Sequence, residues 1–106
     1  MSVIDTDRET AEQYLSDVEP AWRSFWFGPQ LMARNLEQFS AGLDRIDDQT
    51  YDFHVRGHER QLSRWMREVV GDGALADELD RVRTRDEAAA VVRQRVAELR
   101  RLAGRK

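Results

Sequence analysis

Residues 84–102 read TRDEAAAVVRQRVAELRRL, and this stretch decides the fold class. Thr84 and Glu87 match a capping box, in which each side chain bonds a backbone amide that the first helical turn leaves unpaired. Apolar side chains then recur every three or four positions, with arginines on the opposite side; they are Ala88, Val92, Val96, Leu99 and Leu102. This spacing predicts a long amphipathic α-helix.

The same helical spacing continues through the middle of the chain. A stripe at spacings of four, three, four and three predicts a helix that begins at Pro29 or is capped by Asn35; it consists of Met32, Leu36, Phe39, Leu43 and Ile46. Residues 49–70 are also helical in pattern. Gly57 lies in their middle, and glycine costs about 1 kcal/mol relative to alanine inside a helix. We therefore expect either one kinked helix or two helices in series.

Two further helices flank this region. Gly71-Asp72-Gly73 predicts a break, followed by a short helix over 74–82. Near the N-terminus, Asp5 or Thr6 can cap a helix that runs to Val18, and Pro20 is placed to begin a short one.

The densest aromatic cluster lies at residues 22–27. Trp22, Phe25 and Trp26 have helical spacing, and Phe27 follows directly. Three consecutive aromatic residues cannot all face the core from one helix, so at least one is expected at the surface or at an interface. An exposed aromatic side chain is a typical anchor for a protein partner.

The sequence thus predicts an all-α protein with one domain over residues 1–106. Five or six short helices should pack as a compact orthogonal array or an irregular bundle, because no segment shows the alternation and β-branched enrichment of a strand. The 106 residues contain no cysteine and no apolar run long enough for a membrane span. The first residues lack the pattern of a signal peptide, so a cytoplasmic location is expected.

An ordered set of residues within 25–100 resembles a family of uncharacterised small helical domains of archaea and bacteria. The set consists of Ala33, Asn35-Leu36, Phe39, Leu43, Phe53-His54, Trp65, Gly71-Asp72 and Leu75-Ala76. Members of that family show an aromatic–His pair, a following tryptophan and a Gly-Asp or Gly-Glu break. They carry more histidines than this chain, which has only His54 and His58. The family has no assigned activity, so the resemblance implies a helical fold and no particular function.

His54 and His58 are four residues apart, so a continuous helix would place both on one side. Two imidazoles at this spacing can share a metal ion, but a catalytic zinc needs a third protein ligand, which Asp52, Glu59 or a carboxylate of another helix would have to supply. The intervening Val55-Arg56-Gly57 also lacks the glutamate that serves as general base in metalloprotease helices. A metal- or ligand-binding domain is therefore one hypothesis, and histidines that pack at a helix edge are the structural alternative.

Charge is unevenly distributed along the chain. Residues 1–80 carry a net charge of −9 and residues 81–106 a net charge of +6. The basic helix can lie against the acidic part of its own chain, or it can contact a protein or a nucleic acid. An isoelectric point near 5.4 disfavours nucleic acid, whose binding proteins are usually basic.

We therefore predict a non-catalytic protein–protein interaction domain that binds another protein or itself. Arg93, Arg95, Arg100 and Trp22 are the predicted contact residues. No cofactor and no membrane association are expected. The alternatives are a nucleic-acid or ribosome-associated binder that uses the C-terminal helix, and a metal- or ligand-binding domain that uses His54 and His58.

Overall fold

A computed structural model describes residues 7–55 and 60–105. This part of the chain is mostly helical. It contains six α-helices, one two-stranded sheet, a 3-10 turn and a π-helical turn: α1 (Arg8–Leu15), the 3-10 turn (Ala21–Arg23), β1 (Phe25–Gly28), β2 (Leu31–Ala33), α2 (Leu36–Arg45), α3 (Asp48–Val55), α4 (Gln61–Trp65), the π-helical turn (Met66–Val70), α5 (Gly73–Arg81) and α6 (Arg85–Leu102).

The core forms around α6, which packs chiefly against α1 and α2 and also against α3 and α5. Its buried face matches the predicted stripe only in part, since Val96 is half-buried and Leu102 is 37% exposed. From α2, Leu36, Phe39 and Leu43 are completely buried. Burial of each such side chain contributes about 1.5–3 kcal/mol.

Side-chain caps define where most of the described helices begin. The Asn35 Oδ1 accepts a hydrogen bond from the Gln38 backbone N–H at 2.8 Å, which decides between the two predicted starts of α2. Asp7 caps α1; the predicted caps Asp5 and Thr6 lie outside the described residues. At α6, Thr84 Oγ1 accepts from Glu87 N–H, but the Glu87 carboxylate accepts from Arg83 N–H rather than from Thr84.

The all-α prediction is wrong at the aromatic cluster, where residues 25–33 form an antiparallel hairpin. Phe25 pairs with Ala33 and Trp26 with Met32. Phe25 and Phe27 are buried while Trp26 between them is exposed, the alternation of a strand with one face on the core. The strand thereby buries Phe25 and Phe27 and turns Trp26 to the surface, so one of the three consecutive aromatics is exposed, as expected.

The region predicted as one kinked helix or two in series contains two helices. α3 ends at Val55 and α4 begins at Gln61, after Arg60 in a left-handed conformation with φ 41°. α4 continues directly into the π-helical turn. Gly71, with φ 93°, ends that turn by donating its N–H to the Met66 carbonyl, and so confirms the predicted break.

None of the helices in residues 7–55 and 60–105 combines the length and the apolar character needed to cross a lipid bilayer.

Candidate protein-interaction surface

Three large apolar side chains project into solvent from the hairpin and the turn before it. Trp22 is 79% exposed, Trp26 is 51% exposed and Met32 is 38% exposed. Trp26 and Met32 lie side by side because they are cross-strand partners on the outer face of the sheet. We call Trp22, Trp26 and Met32 the aromatic surface.

The backbone beneath the aromatic surface is held by specific contacts. The Arg23 carbonyl accepts a hydrogen bond from Trp65 Nε1 at 2.7 Å, which fixes the 3-10 turn against the end of α4. Ser24 Oγ donates to the Ala21 carbonyl at 2.6 Å within the same turn. The 3-10 turn that carries Trp22 is therefore held in place by hydrogen bonds.

Buried aromatic packing anchors the hairpin from below. The centroid of the Phe25 ring lies 4.8 Å from that of Phe27, 5.5 Å from that of Phe39 and 5.7 Å from that of Trp65, and all three pairs are edge to face. Phe39 and Trp65 are stacked at 5.1 Å. Such pairs contribute about 0.5–1.5 kcal/mol each beyond the area they bury. The alternation of the strand therefore turns Trp26 outward while its neighbours hold the sheet in place.

A shallow groove of about 320 Å³ lies beside Trp26, between the hairpin and the helical segment of α4 and the π-helical turn. Its apolar lining consists of Phe25, Trp26, Trp65 and Val69, and its polar lining of Ser24, Gln61, Arg64 and Glu68. Trp22 is not part of this lining; it directly precedes Arg23, whose guanidinium and carbonyl contact the lining residues Glu68 and Trp65. The aromatic surface and the groove are thus neighbours.

The predicted contact residue Trp22 is accessible, whereas the three predicted arginines have partners within the chain. Arg93 pairs with Asp44 at 3.0 Å, and Arg100 pairs with Glu37 at 2.7 Å. Both carboxylates belong to α2, so the basic side of α6 lies against an acidic side of α2. This arrangement matches the alternative in which the basic helix lies against an acidic part of its own chain.

Arg95 is unsuited to the partner contact predicted for it, because its side chain is only 13% exposed. It lies against Asp72, whose side chain is 1% exposed, and also bonds Glu98 at 2.8 Å. Burial alone would lower the pKa of Arg95, but the hydrogen bonds that Arg95 donates to Asp72 and Glu98 outweigh it and raise the pKa above its ordinary value. Arg95 therefore stays charged and acts within the fold.

His54 is buried, and each of its ring nitrogens has a hydrogen-bond partner. Nδ1 lies 2.7 Å from Gln61 Oε1, and Nε2 lies 3.0 Å from the Phe27 carbonyl. The ring joins α3 to the hairpin and to α4. His58 lies outside the described residues. Within residues 7–55 and 60–105 no group of three or more metal-ligating side chains is gathered. These contacts favour the structural alternative for His54 over a metal ligand.

A fourth exposed aromatic lies on α3. Phe53 is 69% exposed, and its ring centroid is 5.4 Å from that of His54. It belongs to neither the hairpin nor the lining of the groove. Phe53 therefore serves as a comparison for the aromatic surface.

Trp26 and Met32 are the surface residues that the sequence analysis missed. The helical spacing of Met32 from Leu36 predicts a buried helical position, and this prediction is wrong because Met32 lies in β2 and is 38% exposed. The sequence signal for Trp26 is the alternation from Phe25 to Phe27, which makes residue 26 face away from its neighbours; Met32 becomes its neighbour only through strand pairing.

Comparison with protein-family models, curated proteins and solved structures gives no match to this chain. The resemblance to uncharacterised helical domains thus stays a prediction. Most of the residues that carry it are buried here, among them Leu36, Phe39, Leu43 and Asp72. They have a packing role in this fold.

Proposed function

We propose that this chain is a non-catalytic protein-binding domain whose contact surface is the aromatic surface. The observation that carries the proposal is the exposure of two of its three tryptophans, Trp22 at 79% and Trp26 at 51%. Burial of a tryptophan ring is strongly favourable, so a partner that covers both rings would gain a large apolar contact.

The rigidity of the backbone that carries these two rings also favours binding. Tryptophan is enriched among the residues that carry most of the binding energy at protein interfaces. The 3-10 turn is held by the Trp65–Arg23 hydrogen bond and the hairpin by the buried phenylalanines. A surface fixed in advance loses little conformational entropy when a partner binds, which improves affinity.

The paired arginines make a nucleic-acid interface on α6 a weaker proposal. Arg93 and Arg100 already neutralise Asp44 and Glu37, so a phosphate would have to compete with these carboxylates. If α6 does bind RNA, affinity must fall steeply as salt rises. The variant Arg93→Glu/Arg100→Glu must then bind RNA much more weakly than the wild type.

Affinity capture from a cytoplasmic extract of the source organism tests the proposal. The baits are the wild type, Trp22→Ala/Trp26→Ala and the control Phe53→Ala, which removes an exposed aromatic outside the aromatic surface. Circular dichroism first establishes that all three baits are folded. Each captured protein is then purified and its affinity for the three baits is measured directly.

We expect a protein that binds the wild type and Phe53→Ala and is lost from the double tryptophan variant. A second copy of this chain counts as such a protein. Equal binding to all three baits would contradict the proposal, as would RNA that the wild type captures and a fourth bait, Arg93→Glu/Arg100→Glu, does not.

A further inference from the structure

We propose that the partner of the aromatic surface is a second copy of this chain, with Trp22 of each copy inserted into the groove of the other about a two-fold axis. This inference rests on the proposed function and names its partner. It follows from the shape, the hydrogen-bonding groups and the charges of the groove beside Trp26.

Shape gives the first reason. A two-fold contact uses the same patch on both copies, so the patch must contain both a projecting group and a cavity that accepts it. Trp22 is the most exposed large apolar side chain of residues 7–55 and 60–105, and it lies two residues before Ser24, the first residue of the groove lining. A rotation about an axis between the two features places each Trp22 at the partner's groove.

The lining of the groove gives the second reason. Its volume of about 320 Å³ lies at the lower end of the range for ligand pockets, which suits one aromatic side chain. Trp65 and Val69 offer apolar contact to an inserted indole. A buried indole N–H needs an acceptor, and Ser24 and Glu68, whose side-chain oxygens can accept, line the same groove.

Charge gives the third reason. Arg64 and Glu68 lie on the rim, 3.5 Å apart, with side chains 60% and 62% exposed. When two identical segments meet antiparallel about a two-fold axis, Arg64 of each copy faces Glu68 of the other. A rim that carries both signs of charge is complementary to itself, whereas a rim of one sign would repel a second copy.

Analytical ultracentrifugation over a concentration series tests the inference. The proteins are the wild type, Trp22→Ala, Arg64→Glu, Glu68→Arg and the control Phe53→Ala. We expect the wild type and Phe53→Ala to form a dimer of the same dissociation constant. Loss of Trp22 should raise that constant by about 30-fold or more, the effect of removing an interface hot spot.

The charge variants test the two-fold geometry. Arg64→Glu places two glutamates opposite each other in its own dimer, and Glu68→Arg places two arginines opposite each other. Each variant alone should therefore dimerise more weakly than the wild type. An equimolar mixture restores both opposite-charge contacts, so a labelled Arg64→Glu chain should associate with Glu68→Arg more tightly than with itself.

Three results would overturn the inference. These are a wild type that stays monomeric up to about 1 mM, a dimer that does not depend on Trp22, and a mixture that associates no better than either charge variant alone. Failure here does not remove the proposed function. A monomeric wild type that still binds a different protein through Trp22 and Trp26 would support protein binding and exclude the second copy.

Discussion

Asp72 and Arg95 form a two-bond ion pair in the core. Arg95 Nε donates to Asp72 Oδ2 at 2.7 Å, and Nη2 donates to Oδ1 at 3.1 Å. The same carboxylate caps α5 by accepting the Leu75 backbone N–H at 3.2 Å. Asp72, at the break before α5, therefore also fixes the position of α6.

We predict that Asp72→Ala lowers the free energy of unfolding by about 3–5 kcal/mol, because it leaves the Arg95 guanidinium buried without its main partner. Urea denaturation measures this loss. The control Arg93→Ala breaks the exposed pair with Asp44 and should cost less than about 1 kcal/mol. Equal losses of unfolding free energy in the two variants would contradict the structural role given to Asp72.

Gly42 allows α2 to pack closely on the hairpin. A methyl group added at this position would overlap the Phe27 ring, which is 4% exposed and cannot move aside. Gly42→Ala should therefore destabilise the protein by about 1–3 kcal/mol through overpacking, even though alanine is the better helix former by about 1 kcal/mol.

The matched control is Gly73→Ala, at the first residue of α5, where an added methyl group meets nothing within 4 Å. Its thermal midpoint should be unchanged or slightly raised. A Gly42→Ala variant as stable as Gly73→Ala would show that the contact between α2 and Phe27 is looser than described.

Local spacing was enough to predict the helices that bury a regular stripe, such as α2 and α6, and the break at residues 71–73. It failed at the hairpin because Trp22, Phe25 and Trp26 satisfy a helical spacing while Phe25 and Phe27 also satisfy an alternating one. A short apolar run fits both periods. Only tertiary packing decides between them, here the fit of Phe25 and Phe27 against Phe39 and Trp65.

Of the aromatic surface, only Trp22 was predicted from the sequence as a contact residue; Trp26 and Met32 were not. The aromatic cluster indicated an exposed ring, and Trp22 is exposed. The role of Arg95 was not predictable, because its partner Asp72 is 23 positions away and the sequence contains many other carboxylates. Long-range pairing depends on how α5 and α6 cross, which no local pattern encodes.

Asp80 should make stability depend on pH in the acidic range. Burial alone would raise the pKa of Asp80, but hydrogen bonds from Ser63, Arg67 and Arg60 outweigh it and lower the pKa below its ordinary value of 3.8. Because the folded state holds this carboxylate ionised, its stabilising contribution is complete above that ordinary value. The contribution is lost as pH falls through the lower pKa of the folded state.

Asp80→Asn should therefore be less stable than the wild type at neutral pH, and the difference should shrink below about pH 4. This stability difference is measured from the urea midpoints of the two proteins between pH 7 and pH 3. The control Glu78→Gln removes a charge from the same helix without touching the cluster of Ser63, Arg60 and Arg67. A difference that stays constant with pH would contradict the role given to Asp80.

His54 provides a test of the metal hypothesis that does not depend on activity. The Phe27 carbonyl can only accept a hydrogen bond, so His54 Nε2 must carry a proton. We therefore predict a proton on His54 Nε2, visible as long-range nitrogen–proton couplings of the ring in NMR spectra. Added Zn²⁺ should leave these ring signals in place, whereas a metal bound to His54 would displace one hydrogen bond and shift both nitrogens.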